Sequence, residues 1–183
     1  NISDLPLDVV GSVLNELVVN DGRRAMQYGS GQGEPVLREA ICEVMKLEGI
    51  SAHPDDVTVT VGSQQGLDLV TRLFCDPGDV VLCEAPSYVG ALGVFRAYQA
   101  EVVHVAMDEH GLLPGALAEA LAALKAAGKK AKFLYTIPNF QNPAGISQPL
   151  ERRLEILRVA EQGDLLVVED NPYGLLGFDG DPV

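Results

Sequence analysis

Short apolar runs alternate along the chain with segments whose apolar residues recur at helical spacing. The runs are nearly continuous, as in parallel strands that are buried on both faces of a sheet. A helical segment between two such runs is the pattern of a βα unit. The pattern therefore predicts an α/β fold with a mainly parallel sheet and helices on both faces. The predicted strands are Val57–Val61, Val80–Cys83, Glu101–Val105, Lys132–Thr136 and Leu165–Glu169.

The predicted helices begin at residues that favour helix starts. Pro35 and Pro114 suit first helical positions, because proline lacks the N–H that would otherwise stay unpaired there. Ser63 suits the capping of the helix after the first strand, since its hydroxyl accepts a backbone hydrogen bond. We expect helices over about residues 35–48, 63–74, 87–98, 114–128 and 150–162.

Composition and charge restrict the class of partner. The chain has 183 residues, enough for one ordinary domain, and a net charge of −13. That charge argues against nucleic acid and anionic membranes, which attract clustered Lys and Arg. The sequence has no long apolar span and no signal peptide, so we expect no membrane contact.

The cysteines Cys42, Cys75 and Cys83 lack CxxC spacing and predict reduced thiols in a cytoplasmic protein. The three scattered histidines predict no metal site.

Polar clusters follow three of the predicted strands at their carboxyl ends. Residues 62–66 (GSQQG) follow the first strand, residues 138–145 (PNFQNPAG) follow the fourth, and Asp170 opens the cluster after the fifth. Ligands bind at this edge of open α/β sheets. A carboxylate, an amide, a phenol and a Ser/Gly turn that opens a helix suit a flat heteroaromatic cofactor with a phosphate.

Each polar residue has a simple reading and a cofactor reading. Ser63 caps a helix, or it binds a phosphate beside unpaired N–H groups of the first helical turn. Tyr88 packs on its neighbours, or it stacks on a flat ring. Asn142 belongs to a turn, or its amide bonds a phenolic oxygen. Asp170 needs a partner if buried, and a protonated ring nitrogen would supply a charge-assisted hydrogen bond. Together the cofactor readings describe pyridoxal 5′-phosphate (PLP).

Four motifs, in order and spacing, resemble those of class I/II, fold-type I PLP-dependent aminotransferases. They are VGSQQGLDLV, EAPSY, YTIPNFQNPAG and VVEDNPYG. They are most similar to the branch that holds 2-aminoadipate and aromatic aminotransferases, and the resemblance covers nearly the whole chain. It implies a truncated large domain of the PLP-dependent transferase fold. Residues 1–50 would form an N-terminal helical segment, and residues 51–183 the first part of the PLP-binding domain.

The resemblance also implies roles for individual residues at the cofactor. Asp170 matches the carboxylate that keeps the ring nitrogen protonated, which makes the ring an electron sink. Tyr88 matches the aromatic residue that stacks on the ring. The phosphate would be bound by Gly62, Ser63 and Gln64, and the 3′-oxygen by Asn142 and Tyr173.

The spacing of Tyr28, Gly33, Leu37 and Arg38 fits a further part of the family pattern. The resemblance implies that Tyr28 reaches the phosphate of the partner subunit in a homodimer. The implied activity is the transfer of an amino group from an amino acid to a 2-oxo acid. The sequence does not indicate which amino acid is the donor.

The family's remaining catalytic groups are expected after Val183. The resemblance places the Schiff-base lysine there, together with a phosphate-binding arginine and a substrate-binding arginine, so no catalytic residue is assigned in this chain. Residues 1–183 alone are expected to be inactive. In the family, two later strands insert beside the first strand. Without them Val57–Val61 would lack neighbours for its backbone groups.

Two other functions remain open from the sequence. One is the PLP-binding effector domain of a transcription regulator, which shares this fold. The other is a flavodoxin-like or Rossmann module that binds another nucleotide or phosphate. That module fits the βα pattern but leaves Asn142, Asp170 and Tyr173 without a role.

Overall fold

The computed structural model describes residues 5–177 of the chain. Contacts divide it into two compact units. One holds the described residues up to Cys42 together with Ala52–Val59, and the other holds Glu43–Ser51 and the described residues from Thr60 onward.

The helices are Leu7–Ala25 (α1), Pro35–Met45 (α2), Gly62–Phe74 (α3), Val89–Ala97 (α4), Pro114–Ala126 (α5) and Leu150–Gln162 (α6). The strands are Val80–Ala85 (β1), Glu101–Asp108 (β2), Gly111–Leu112 (β3), Ala131–Thr136 (β4) and Leu166–Glu169 (β5).

The five strands form one sheet in the order β3-β2-β1-β4-β5. Strands β2, β1, β4 and β5 run parallel, and the two-residue β3 pairs antiparallel with the end of β2. Helices connect the parallel strands, as such connections require. The prediction of an α/β fold with a mainly parallel sheet is therefore confirmed.

Side chains of neighbouring positions in β1 and β4 enter two separate cores. Val81 and Cys83 lie in a cluster with α3 and α4, whereas Val80 and Leu82 lie in a cluster with α5 and α6. This alternation is the two-residue period of a strand. Helices thus cover both faces of the sheet, and apolar burial on both faces is the main source of stability. We call these clusters the α3/α4 core and the α5/α6 core.

The predicted strand Val57–Val61 does not form within residues 5–177, where the segment lacks neighbours, as the resemblance implied for a chain without the two later strands. This segment has no strand pairing in the described residues. The Val59 N–H donates to the Gln32 carbonyl oxygen (2.8 Å), but this hydrogen bond belongs to no sheet. Alternating β-branched residues favour an extended backbone, but a strand forms only where a partner satisfies its N–H and C=O groups. Val57 is buried nonetheless, whereas Val61 is exposed.

In the unit that contains α1, a buried arginine anchors a turn. The Arg38 guanidinium donates to the Pro54 carbonyl oxygen and to the Asp55 carboxylate, at 2.5 and 3.1 Å. The nearby Gly33 has a φ of +98°, and a Cβ there would lie 2.6 Å from the Val59 side chain. Gly33 and Arg38, whose spacing was noted in the sequence, therefore both have structural roles within this unit. Gly33 permits the close approach of Val59, and Arg38 holds the turn at Pro54 and Asp55.

We predict that Gly33→Ala disrupts the close packing of Gly33 against the Val59 side chain. The left-handed backbone and the steric clash with Val59 are both unfavourable for alanine, at a cost of about 1–3 kcal/mol. Hydrogen exchange should show faster exchange of the Val59 amide, which bonds to Gln32. The control is Gly31→Ala, because a Cβ at Gly31 meets no atom within 4 Å. Equal exchange rates at Val59 in both variants would contradict the prediction.

Candidate cofactor site

Asp170 directly follows β5 and is held by β4. Its backbone N–H donates to the Thr136 carbonyl oxygen (2.9 Å), and its Oδ2 accepts a hydrogen bond from the Tyr135 hydroxyl (2.7 Å). Within residues 5–177, the Oδ1 atom of Asp170 has no hydrogen-bond donor. The half-buried carboxylate therefore keeps one oxygen available to a ligand at the carboxyl edge of the sheet.

Tyr135 orients this carboxylate from the α3/α4 core. The side chain is fully buried, and its ring makes an edge-to-face contact with Phe95, with centroids 5.6 Å apart. Burial, and secondly the hydrogen bond to Asp170, raise the pKa of the Tyr135 hydroxyl above its usual value. The hydroxyl therefore stays protonated and donates. Tyr135 was not predicted as a site residue, because it lies inside an apolar run.

Asn142 and Tyr173 line a common open cleft. The cleft has a volume of about 430 Å³, and Phe140, Pro143 and Leu176 also border it. Among the described residues, the Asn142 amide and the Tyr173 hydroxyl make no internal hydrogen bond. The structure thus brings together the two residues that the sequence assigned to one oxygen atom of a ligand.

The first turn of α3 presents three of the predicted residues. The helix begins at Gly62, and Gly62, Ser63 and Gln64 are all exposed. The prediction that Ser63 caps this helix is wrong: Val61 is the N-cap residue, and no side chain caps the helix. The Gly62 N–H donates to the Thr60 carbonyl oxygen (2.9 Å), so the exposed Ser63 hydroxyl and the N–H groups of Ser63 and Gln64 are the groups of this turn that a ligand could use.

Tyr88 lies against the start of its own helix. It is the N-cap residue of α4, and a Cβ at Gly90 would fall 2.5 Å from the Tyr88 ring. The ring also packs against the α3/α4 core and is half-buried. Only glycine at position 90 leaves room for this ring position. Tyr88 thus contributes an aromatic surface that is held in place by packing.

A network of polar side chains joins the loops that follow β4 and β5. The Arg153 guanidinium donates to the Asn139 amide oxygen (2.6 Å), and Asn139 donates to Asn171 (2.8 Å). Asn171 in turn donates to the Glu48 carboxylate (2.7 Å). These contacts fix the residues on both sides of the candidate site. These contacts are not visible in the sequence, because the partners are distant in the chain.

Tyr28 belongs to the other unit, and its side chain is fully exposed. The three cysteines are free, as the sequence predicted, and all three are buried. Burial, and secondly the Glu84 charge, raise the pKa of Cys83 to about 12, so this thiol stays protonated at neutral pH.

Within residues 5–177 we find no acidic, histidine or cysteine cluster that could hold a metal ion. No helix in that range has the length and apolar character that a membrane span requires.

Comparisons with known proteins point to one family. The sequence model of "Aminotransferase class I and II" matches residues 1–183. An aromatic-amino-acid aminotransferase of Thermococcus litoralis is 42% identical over 179 residues, which are 97% of this chain and 43% of that protein. The chain thus spans less than half the length of the curated relatives it matches.

Two solved structures show the same fold. The kynurenine aminotransferase of Pyrococcus horikoshii, in complex with PMP, gives a TM-score of 0.92 at 40% identity and covers all of this chain. The alpha-aminoadipate aminotransferase of Thermus thermophilus, complexed with N-(5′-phosphopyridoxyl)-L-leucine, gives 0.88 at 36% identity and covers 98%. This chain covers 45% and 43% of those chains.

We predict that Tyr135→Phe destabilises the protein through Asp170. The variant keeps the ring packing but removes the donor to a half-buried carboxylate, which costs about 1.5–3 kcal/mol. Urea denaturation measures the loss. Tyr98→Phe is the matched control, since it removes the hydroxyl of a half-buried tyrosine that donates to the Asp68 carboxylate (3.0 Å), whereas Tyr135 is fully buried. A loss in Tyr135→Phe no larger than in the control would contradict the prediction.

Proposed function

Since the chain belongs to the class I and II aminotransferase family, we propose that the enzyme it forms part of transfers amino groups with pyridoxal phosphate as its cofactor. The amino group passes from an amino acid to a 2-oxo acid. The observation that carries the proposal is the free Oδ1 atom of Asp170, held at the edge of the sheet by Tyr135. A carboxylate in this position suits a protonated ring nitrogen.

The other side chains of the site fit the remaining groups of the cofactor. Asn142 and Tyr173 border one cleft and have unused hydrogen-bonding atoms in the described chain, which suits the 3′-oxygen. The first turn of α3 is exposed, has no side-chain cap and has the positive end of the helix, which suit the phosphate. Gly62, Ser63 and Gln64 would bind it, and the Tyr88 ring would stack on the pyridine.

The bound cofactor supplies an electron sink for the carbanion that forms when the amino acid loses its α-proton. Asp170 would hold the proton on the ring nitrogen and thereby preserve the positive charge on which the sink depends. Tyr135 holds the Asp170 carboxylate that would meet that nitrogen. Asn142 and Tyr173 would bind the 3′-oxygen and thereby orient the ring. Orientation of this kind lowers the barrier because the reacting groups need not be reordered.

The names of two relatives support a proposed substrate class. They are an aromatic-amino-acid aminotransferase and a 2-aminoadipate transaminase, so the proposed donor is an aromatic amino acid or 2-aminoadipate. The lysine that would bind the cofactor covalently is assigned to the part of the enzyme after Val183. No observation favours the effector domain of a transcription regulator, and membership of the family replaces the flavodoxin-like or Rossmann alternative.

The proposed enzyme is a cytoplasmic homodimer. The fully exposed Tyr28 ring supports this, because an aromatic side chain without cover in its own unit suits a subunit contact. In a two-fold symmetric dimer, each Tyr28 would reach the phosphate of the partner subunit, and the two sites would be equivalent. The free, buried cysteines suit the reducing cytoplasm.

We predict that Asp170→Ala lowers the turnover of the holoenzyme by about a hundredfold or more, since each 1.4 kcal/mol of lost stabilisation is tenfold in rate. Steady-state amino transfer to a 2-oxo acid measures turnover, and thermal unfolding monitors the fold. Asp164→Ala is the control, because that carboxylate is exposed and bonds only Lys130 among the described residues. Near-normal turnover of Asp170→Ala would exclude the proposed role.

Tyr28→Phe tests the subunit contact. The variant keeps the ring but removes its hydroxyl, so we expect weaker PLP binding by about tenfold, the loss of one hydrogen bond to a charged group. Equilibrium dialysis measures PLP affinity, and analytical ultracentrifugation measures the assembly. The control is Tyr98→Phe, since Tyr98 bonds within its own unit. An active monomer would overturn the dimer, and unchanged PLP affinity would overturn the role of Tyr28.

A further inference from the structure

Glu84 is the one acidic side chain that is fully buried within residues 5–177. It lies near the carboxyl end of β1, the strand between β2 and β4. Burial of a charged carboxylate is unfavourable unless hydrogen bonds compensate for the lost water. Burial accordingly raises the pKa of Glu84, and its hydrogen bonds oppose that shift.

Four groups donate to this carboxylate, and three of them belong to one loop. The loop runs from Ile137 to Pro149, between β4 and α6, and contains Asn142. Its first residue, a middle residue and a residue near its end all bond the same side chain. The donors are the Thr136 hydroxyl (2.6 Å), the Ile137 N–H (3.2 Å), the Gln141 amide (3.0 Å) and the Gln148 amide (3.1 Å).

Gln141 extends these contacts to two segments of the candidate site. Its amide nitrogen also donates to the Pro86 carbonyl oxygen (2.8 Å), two residues before Tyr88. Its amide oxygen accepts the Ala144 N–H (2.9 Å). Asn142 lies in the chain between Gln141 and Ala144, so its backbone is held on both sides. Gln141 is itself only 2% exposed.

The hydrogen bonds around Glu84 favour its ionised form, against the effect of burial on its pKa. Each of the four neighbours donates, so the ionised carboxylate accepts every bond, and no acceptor faces it in the described chain. By the alternation along β1, Glu84 is on the side of the α5/α6 core, whereas Tyr88 packs against the α3/α4 core. Glu84 therefore acts on the site through the loop backbone.

Building on the function proposed above, the geometry assigns Glu84 as a positioning residue. Through Gln141, it holds the Asn142 amide and the Tyr88 ring where they meet the cofactor. A shift of this loop would move both groups without removing either of them.

The test uses Glu84→Gln in the PLP-loaded holoenzyme. This variant keeps the volume but places an NH₂ group where donors converge, so one contact becomes unfavourable and the loop shifts. A hydrogen bond from Asn142 to the 3′-oxygen anion stabilises that anion. Its loss should raise the pH midpoint of the cofactor's visible absorption band by about one unit. PLP binding, measured by equilibrium dialysis, should weaken by about tenfold.

Two controls separate positioning from plain stability. Leu117→Ala empties part of the α5/α6 core, and it should lower the thermal midpoint but leave the absorption midpoint unchanged. In an Asn142→Ala background, Glu84→Gln should produce no further shift of that midpoint, because the two changes act on the same hydrogen bond. A Glu84→Gln protein that loses stability but retains the wild-type absorption midpoint and PLP affinity would overturn the assignment.

Gln141→Met decides the question if Glu84→Gln does not fold. It removes the bonds to Glu84 and Pro86 at similar volume, and the same upward shift is expected. An unchanged midpoint in this variant would also overturn the assignment. If the wild-type holoenzyme shows no PLP absorption band, the proposed function itself fails. If the band exists and only Asn142→Ala moves it, the function stands and the role of Glu84 is wrong.

Discussion

The two-residue alternation of side chains along β1 and β4 is the constraint on which the rest of the structure depends. Cys83 pairs with Tyr135 in parallel register, so both side chains enter the α3/α4 core. The next residues of the two strands, Glu84 and Thr136, bond each other on the opposite side. The carboxyl edge of the sheet therefore has two different supports. Tyr135 holds Asp170, and Glu84 holds the loop that contains Asn142.

The support of Asp170 begins deep in the core. Tyr135 and Phe133 both make edge-to-face contacts with Phe95, at 5.6 Å between ring centroids. Such contacts fix ring orientation as well as burying apolar surface. The Tyr135 hydroxyl then transmits this rigidity to a carboxylate at the edge. The direction of Asp170 is thus set by the packing of α4 on the sheet, although the residue itself follows the end of β5.

The sequence predicted most of the fold because apolar runs and helical spacing report burial locally. Four strands and five helices followed from these patterns. The prediction of a strand over Val57–Val61 did not hold in the described residues, since β-branched alternation indicates a preference for extended backbone but not the presence of a partner strand. Helix α1 was not given bounds, although Leu7, Val10, Leu14 and Leu17 recur at helical spacing. Its apolar side chains are all exposed, so its pattern could not be tied to the predicted core.

The candidate site was predictable mainly for residues in polar clusters that follow apolar runs, although the run before Gly62 forms no strand within residues 5–177. Asp170 and Asn142 belong to polar clusters at strand ends, and a strand end is visible in the sequence. Glu84 and Gln141 are 57 residues apart, and nothing local connects them. A buried polar pair is defined by its partner, and partners at that separation appear only once the strand order is known.

Gln141 and Asn142 show why the buried polar residues matter to the site. They are adjacent in sequence, but Gln141 is buried with its amide nitrogen and oxygen both bonded, whereas Asn142 is half-buried beside an open cleft. A side chain that must bind a ligand cannot use its hydrogen bonds internally, so it contributes little to holding its own loop. The order of the loop must then come from a neighbour whose hydrogen bonds are all internal. In this chain that neighbour is Gln141, and its bonds lead to the Glu84 carboxylate at the end of the central strand.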